Sequence, residues 1–373
     1  MPEHVKVARG LAGVSITETR IGKSDEDGTL VYRGYPIREL TDKASFEETA
    51  FLITKGRLPT RSELEEFNAS MKAEMAVPQK ALDVMKDLGR EAHPIDALRT
   101  ACSALGSIDR TRSASEQQAS IEAKMSVLAA NCHRIPRGER PRLPREGLGF
   151  AASLLHMLTD KEATAYESWV FERALILYME HDLNASSFTV RVVASTLADP
   201  YAAVSAGLAS LKGPLHGGAN EAAMDMLLRV RNPEEVPSYI DEALREGRKV
   251  IGFGHRVYKK FDPRALILKD YLREILRRRG DDDVLYRLCD AMEGEMMRRK
   301  GIPANLDFYA APVFYLLGVE IPLYTPIFAA SRVFGWMAHY DEQVAENKLI
   351  RPDATYVGPT DLVYVPVEKR QSA

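Results

Sequence analysis

The chain has 373 residues with 50 basic and 53 acidic side chains, a formal net charge of −3 and a pI near 6.3. That balance excludes a general attraction to nucleic acid or to an anionic membrane surface, and no stretch approaches the run of roughly 18 apolar residues that spans a bilayer. The length is too great for one ordinary core and predicts two domains, or one large domain with a smaller one inserted.

At the N-terminus, "MPEHVKVARGLAGV" lacks the apolar centre of a secretion signal, which predicts a cytoplasmic protein. Next, "VSITETRIGKSDEDGTLVYRGYPI" carries short β-rich runs around an acidic turn ending in Asp27-Gly28, the pattern of a small hairpin. From there the pattern is helical almost throughout. "SFEETAFLITKG" opens with a capping box, Ser45 and Glu48, and closes at Gly56, and "LPTRSELEEF" opens with another, Thr60 and Glu63. Helices then succeed one another through punctuation at Pro78, Pro94, Pro200, Gly213, Pro233, Pro263 and Pro303. The Arg/Pro-rich stretch 134–146, "RIPRGERPRLPRE", reads as a solvated connection. The segments from "TAYESWVFERALILYMEHDLNASSF" through "TVRVVASTLADPYAAVSAGLASLKG" are apolar and rich in small residues, as expected of closely packed helices in a core or at a subunit interface. Cys102, Cys132 and Cys289 have no paired spacing and read as small buried hydrophobes.

Three of the eight histidines stand at breaks in helix: His181 in "MEHDLNASSF", His216 in "GPLHGGAN" and His255 in "GFGHRVYKKFDPRA". Any one of them, taken alone, is more often a satisfied buried histidine than a catalyst. His216 lies between a proline and two glycines directly ahead of an amphipathic helix, whose unpaired N–H groups and positive dipole end would disfavour an imidazolium. Around His255, Gly252 and Gly254 form a pliant strip whose backbone could approach a ligand, with Lys259, Lys260 and Arg264 close behind. This is neither a P-loop nor a dinucleotide fingerprint. The histidines lack HExxH-type spacing and no cysteine pair assists them, so no metal site is expected. In "KGIPANLDFYAAPVFYLLG", Asp307 either caps the helix that follows Pro303 or, buried beside aromatic rings, acquires the basicity a proton-abstracting group needs. Arg332 and Arg351 stand in apolar contexts, where a bidentate carboxylate partner explains them better than solvent does. His339, on the aromatic-rich "SRVFGWMAHYDEQ", reads as a hydrogen-bonded core or interface histidine.

With these residues in view, the chain resembles citrate synthase in its short bacterial and archaeal form, and the closely related 2-methylcitrate synthase. The resemblance runs from "ARGLAGV" to "RPDATYVGP" and rests on "GPLHGGANEA", "GFGHRVYKKFDPRA" and "PANLDFY", in the family's order and separations. It implies a mainly α, multi-helical homodimer. Residues 1–215 plus 319–373 would form a large domain at the dimer interface, and residues 216–318 a small, mobile, CoA-binding one. His216, His255 and Asp307 match the family's catalytic trio. His181, Arg264 and Arg332 match the groups that hold the dicarboxylate, and Arg351 an arginine that reaches into the partner's site. Lys249, Val250, Ile251, Gly252 and Phe253 correspond to the segment that cradles coenzyme A, and Lys259 to a phosphate contact. The reaction implied joins acetyl-CoA to oxaloacetate and hydrolyses the thioester, with no permanently bound cofactor and no metal. Propionyl-CoA as acyl donor is the alternative within the family. A non-catalytic CoA- or dicarboxylate-binding helical dimer is the alternative outside it, disfavoured because a sensor needs no base. The sequence departs from the commoner family pattern at His181-Asp182, where many relatives have His-Glu, and at Ala304, where Tyr or Pro often precedes Asn. The shorter Asp182 is expected to bear on how His181 is held.

Overall fold

A computed structural model describes residues 7–370 except position 12. Of the eight histidines, His4 lies outside the described residues. Three short strands, β1 (Gly22–Ser24), β2 (Leu30–Tyr32) and β3 (Tyr35–Pro36), precede sixteen α-helices among the described residues. These are α1 (Ile37–Lys43), α2 (Phe46–Lys55), α3 (Arg61–Glu74), α4 (Gln79–Asp87), α5 (Pro94–Ile108), α6 (Ala114–Asn131), α7 (Phe150–Thr159) and α8 (Ala165–Met179), followed by α9 (Ala185–Ala194), α10 (Pro200–Leu211), α11 (Ala219–Val230), α12 (Val236–Arg245), α13 (Pro263–Arg279), α14 (Val284–Lys300), α15 (Leu306–Leu316) and α16 (Tyr324–Ala345). The mainly α class expected from the sequence is what is found.

Local chemistry sets most helix starts. Ser45 with Glu48 and Thr60 with Glu63 both close reciprocal capping boxes, satisfying N–H groups that no helical carbonyl can reach, and Gly56 ends α2 in the left-handed conformation. Pro94, Pro200 and Pro263 occupy first helical positions, where a missing N–H carries no penalty. The connection 134–146 is irregular apart from one 3-10 turn, Ile135–Arg137, and Arg142 within it donates to the carbonyls of Met157 and Leu158 at 3.0 Å. All three cysteines are buried and unbridged.

The expected hairpin is present, with Gly22 opposite Tyr32 and Ser24 opposite Leu30. It is extended by β3, antiparallel to β2, a pairing too short to leave an alternating pattern in the sequence. The sheet supports the rest of the molecule through Tyr32, whose buried hydroxyl donates to the Glu180 carbonyl at 2.7 Å and so pins the end of α8.

Two helices run through the core. In α16 every residue from Tyr324 to Tyr340 is buried, and α6 is buried on all sides from Ser120 to Asn131. The mostly apolar or small side chains of α16 suit such a position, whereas α6 also carries Glu122, Lys124 and Asn131 inside, Lys124 paired with Glu74 at 3.1 Å. Close approach depends on the small residues of α16: a Cβ on Gly335 would lie 2.5 Å from the Met179 carbonyl oxygen, so only glycine lets the end of α8 rest on α16. Helices α11 to α15 pack chiefly on one another, α13 and α11 each against α15 and α12 against α14. They join the remainder through the turn 213–218 and through Gly318, which has φ +80°. Among the described residues, no helix is long and apolar enough to cross a membrane.

Candidate active site

Six residues singled out in the sequence meet at one small cleft of about 80 Å3: His181, His216, His255, Arg264, Asp307 and Arg332, joined by Asn184, Asn305, Leu306 and Phe328. Each sits at an element end or faces the cleft from a buried helix. His181 follows α8, His216 precedes α11, His255 precedes α13, Arg264 lies in the first turn of α13, Asp307 in the first turn of α15, and Arg332 midway along α16.

The turn between α8 and α9 is held by Asn184, the N-cap of α9. Its Oδ1 accepts from the backbone N–H groups of Ser186 and Ser187 at 3.1 Å, and its Nδ2 donates to the His181 carbonyl at 3.2 Å. His181 is 5% exposed, and its Nε2 lies 3.0 Å from the Tyr258 hydroxyl. Tyr258, not Asp182, therefore holds the imidazole. Asp182 instead adopts φ +52°, a left-handed turn that aspartate tolerates.

His255 stacks on Tyr258 with centroids 4.8 Å apart and meets the edge of His181 at 4.9 Å. Its Nδ1 accepts from the backbone N–H groups of Val257 at 3.1 Å and Tyr258 at 3.3 Å. Two donors on Nδ1 place the ring proton of a neutral imidazole on Nε2, which makes His255 a neutral hydrogen-bond donor. His216 Nε2 lies 2.7 Å from Ser186 Oγ, and that oxygen also receives the indole N–H of Trp336 at 3.1 Å. The serine has one proton and two neighbours to give it to, His216 Nε2 and Asn184 Oδ1 at 2.8 Å: given to Nε2 it places the His216 proton on Nδ1, and given to Asn184 it leaves Nε2–H donating to Oγ.

The two arginines differ. Arg264 and Asp262 form a buried bidentate pair, Nε to Oδ1 at 3.0 Å and Nη2 to Oδ2 at 2.8 Å, and Oδ2 also accepts from the Leu306 N–H at 3.0 Å. This ties the start of α13 to the start of α15. Arg332 lacks the carboxylate partner expected from its sequence context. Its Nε donates to the Tyr178 carbonyl at 2.7 Å, its guanidinium carbon lies 4.7 Å from the centre of the Phe328 ring, and Nη1 is buried without a partner. A buried guanidinium with an idle donor is suited to binding an anion.

Burial governs the proton affinities. It pushes the His216 imidazole down to about 3, with Arg332 adding to the effect, and His255 down to about 4, with Arg264 adding. His181 is likewise driven well below the ordinary histidine range by burial and by Arg264. Desolvation thus keeps His216 neutral, in the direction the helix terminus also favours. Arg332 is lowered to about 10 by burial. Asp307 moves the other way: burial raises its carboxyl to about 6, against the opposing pull of Arg264 and a hydrogen bond from the Tyr178 hydroxyl at 3.1 Å. The helix cap at this position is Asn305, whose Oδ1 accepts from the Asp307 N–H, so the carboxylate is not engaged as a cap.

The remaining expected residues lie outside the cleft. Gly252 and Gly254 strap their strip to the start of α15 by Asn305 N–H to Gly252 carbonyl and Gly254 N–H to Pro303 carbonyl, each 2.9 Å, while Phe253 pairs with Ala304. Gly252 has φ +85°, and a Cβ there would stand 2.7 Å from Phe308 Cβ. Only glycine therefore fits between this strip and α15. Val250 is buried, Ile251 half-buried and Lys249 exposed; the Lys259 ammonium rests on the His255 and Arg256 carbonyls. Arg351 has a carboxylate neighbour but not the expected apolar setting. Its side chain is 73% exposed beside Asp353, in a segment past α16 that its own chain leaves uncovered, so the apolar setting suggested by its neighbours is absent. His339 is fully buried between Arg191 Nε at 2.9 Å and Glu180 Oε1 at 3.1 Å. Among the described residues no group of three or more His, Cys, Asp or Glu is arranged to hold a metal ion.

Tyr178, Ser186, Asp262 and Tyr258 were not singled out from sequence. Asp262 carries a readable signal, an aspartate ahead of a first-turn proline. Tyr178 and Ser186 carry none, since an aromatic or a serine in an apolar helix reads as packing.

The sequence model described as citrate synthase, C-terminal domain, matches residues 10–353. "Citrate synthase 2" of Bacillus subtilis is 42% identical over 97% of this chain and 99% of its own length, and "Citrate/2-methylcitrate synthase" of the same organism is 41% identical over 96% and 98%. Among solved structures, the ternary complex of carboxymethyl coenzyme A and oxaloacetate with citrate synthase from Thermoplasma acidophilum superposes with a TM-score of 0.93 at 33% identity, covering 98% of this chain and all of that one. Sequence, fold and the converging side chains agree, and the chain belongs to the citrate synthase family.

Proposed function

We propose that the chain is a homodimeric cytoplasmic citrate synthase that condenses acetyl-CoA with oxaloacetate and water to give citrate and CoA. The observation that carries this reading is the pairing, in one cleft, of a carboxylate raised to about 6 with imidazoles lowered to about 3 and 4. Titratable groups whose environments push them apart mark acid and base roles. Asp307 takes a proton from the acetyl methyl group. His216, with Ser186 donating to its Nε2 and its own proton on Nδ1, hydrogen-bonds the thioester oxygen as negative charge gathers there, and a neutral donor in a dry site stabilises an enolate without first protonating it. The enolate carbon attacks the ketone carbon of oxaloacetate. His255 meets the developing alkoxide with its Nε2–H and delivers the proton, and water then hydrolyses the thioester.

Arg264, Arg332 and His181 hold the oxaloacetate carboxylates, with the idle Nη1 of Arg332 the open donor. Arg351 completes the partner's site. Its exposure supports that, as does the uncovered tail around it, where Val357 is 93% and Val363 85% exposed. The strip Lys249–Phe253 and Lys259 receive coenzyme A beside the start of α15. Residues 216–318 close over the site, turning near Gly213 and Gly318. Three buried, unbridged cysteines fit a reducing compartment.

Thiol release from acetyl-CoA should occur only when oxaloacetate is present. Release without oxaloacetate, or none with both, would refute the reading. Propionyl-CoA remains a second acyl donor to test, because the two Bacillus subtilis relatives, one of them named for both products, are 42% and 41% identical to this chain. One methylene changes transition-state binding by about 1–3 kcal/mol, so the ratio of kcat/KM for the two thioesters decides between them.

A further inference from the structure

We propose that Tyr178 is a positioning residue that holds the Asp307 carboxylate and the Arg332 guanidinium in one rigid unit, the first through its hydroxyl and the second through its carbonyl. The inference rests on the reading of Asp307 as the base. Among the described residues the Tyr178 hydroxyl is the only hydrogen-bond donor to the Asp307 side chain, reaching Oδ1 at 3.1 Å. It leaves Oδ2 for the substrate proton. The same residue's carbonyl accepts from Arg332 Nε at 2.7 Å. Base and anion-binding group are thus referenced to one residue of α8, although they sit on α15 and α16.

Packing makes the unit stiff. Tyr178 is completely buried, with its ring 4.4 Å from Phe328 and stacked near Phe314 at 6.2 Å. A phenol buried this deeply is costly without a partner, so a purely packing role would be served better by phenylalanine. Burial and the adjacent Asp307 carboxylate push the phenol well above its ordinary range, which keeps it a donor at every working pH. The charged groups facing Asp307 are Arg264 from α13, Arg332 from α16 and Asp262 from the loop before α13, with His181, His216 and His255 across the cleft. Of these, Arg264 and Arg332 stay charged and the imidazoles stay neutral above about pH 4. The phenol is therefore the adjustable contact. A hydrogen bond donated to a carboxylate favours its charged form, so removing the donor raises the pH at which the base becomes available.

The test is Tyr178→Phe, with the pH dependence of kcat/KM for acetyl-CoA as readout. Its acid limb should move up by about one pH unit, the size expected for loss of one charge-assisted hydrogen bond, and kcat at pH 8 should fall by roughly tenfold or less. Oxaloacetate affinity should not change, because the carbonyl that holds Arg332 remains. Introducing 3-fluorotyrosine at position 178, a more acidic donor of nearly the same shape, should move the limb the opposite way. It keeps the question answerable if the phenylalanine variant does not fold. An unmoved limb in either variant, or weakened oxaloacetate binding with an unmoved limb, overturns the proposal. Asp307→Ala in parallel separates the two readings: an active Asp307→Ala enzyme sinks the base assignment itself, whereas an inactive one beside an unmoved Tyr178→Phe limb sinks only the role of Tyr178.

Discussion

The acid limb of the rate profile is the sharpest consequence of the site's electrostatics. Asp307 has to be ionised to take a proton, and burial raises its carboxyl to about 6 from an ordinary 3.8. Activity should therefore be present above that value and lost as pH falls through it. With single-group titration, kcat/KM for acetyl-CoA falls to about one tenth of its plateau at pH 5 and about one hundredth at pH 4. An unperturbed aspartate would leave the pH 5 rate nearly intact, so that point discriminates. Down to about pH 5 no second group steepens the slope, because His255 at about 4 and His216 at about 3 remain neutral there; at pH 4 half of His255 is charged and takes off about a further factor of two. Bound oxaloacetate adds negative charge near Asp307 and can only move the limb upward. The assay is loss of thioester absorbance at saturating oxaloacetate, which avoids thiol reagents whose own reactivity depends on pH. A limb below about pH 5, or one with a slope near two, would refute the assignment of Asp307 as a lone buried base.

Three further outcomes are expected. Ser186→Ala deprives His216 Nε2 of its partner and frees the ring to take the other tautomer; kcat should fall by about 10²-fold with oxaloacetate KM unchanged, as for loss of an oxyanion donor, and wild-type kcat would count against the serine's orienting role. Gly252→Ala demands a left-handed alanine and drives Cβ into Phe308, so urea denaturation should show a loss of about 2 kcal/mol or more. Glu122, buried in α6, is raised to about 8 by burial and by Asp341. The folded state then binds its proton more tightly than the unfolded chain does, so stability is lost as pH rises from the ordinary carboxylate range towards that value. Glu122→Gln should flatten this decline and melt above the wild type near pH 9, as scanning calorimetry at several pH values would show.

Features decided within a few residues of chain were legible from the sequence. The capping boxes Ser45/Glu48 and Thr60/Glu63, the first-turn prolines and the Asp27-Gly28 turn all involve partners at most four residues apart, so the sequence determined them unaided. His216 before a helix and His255 on a glycine strip were visible for the same reason. What those groups can do was decided elsewhere. The proton affinity of Asp307 on α15 depends on Arg264 from α13, Tyr178 from α8 and the burial that α16 helps provide; the tautomer of His216 depends on a serine 30 residues away that also receives an indole from α16. Arg332 looked like half of an ion pair, but the fold gave it a carbonyl and a ring instead, leaving one donor free. Proton affinities and open hydrogen-bonding groups follow from which side chains exclude water and which dipoles face one another, and these distances are set only when helices remote along the chain pack together.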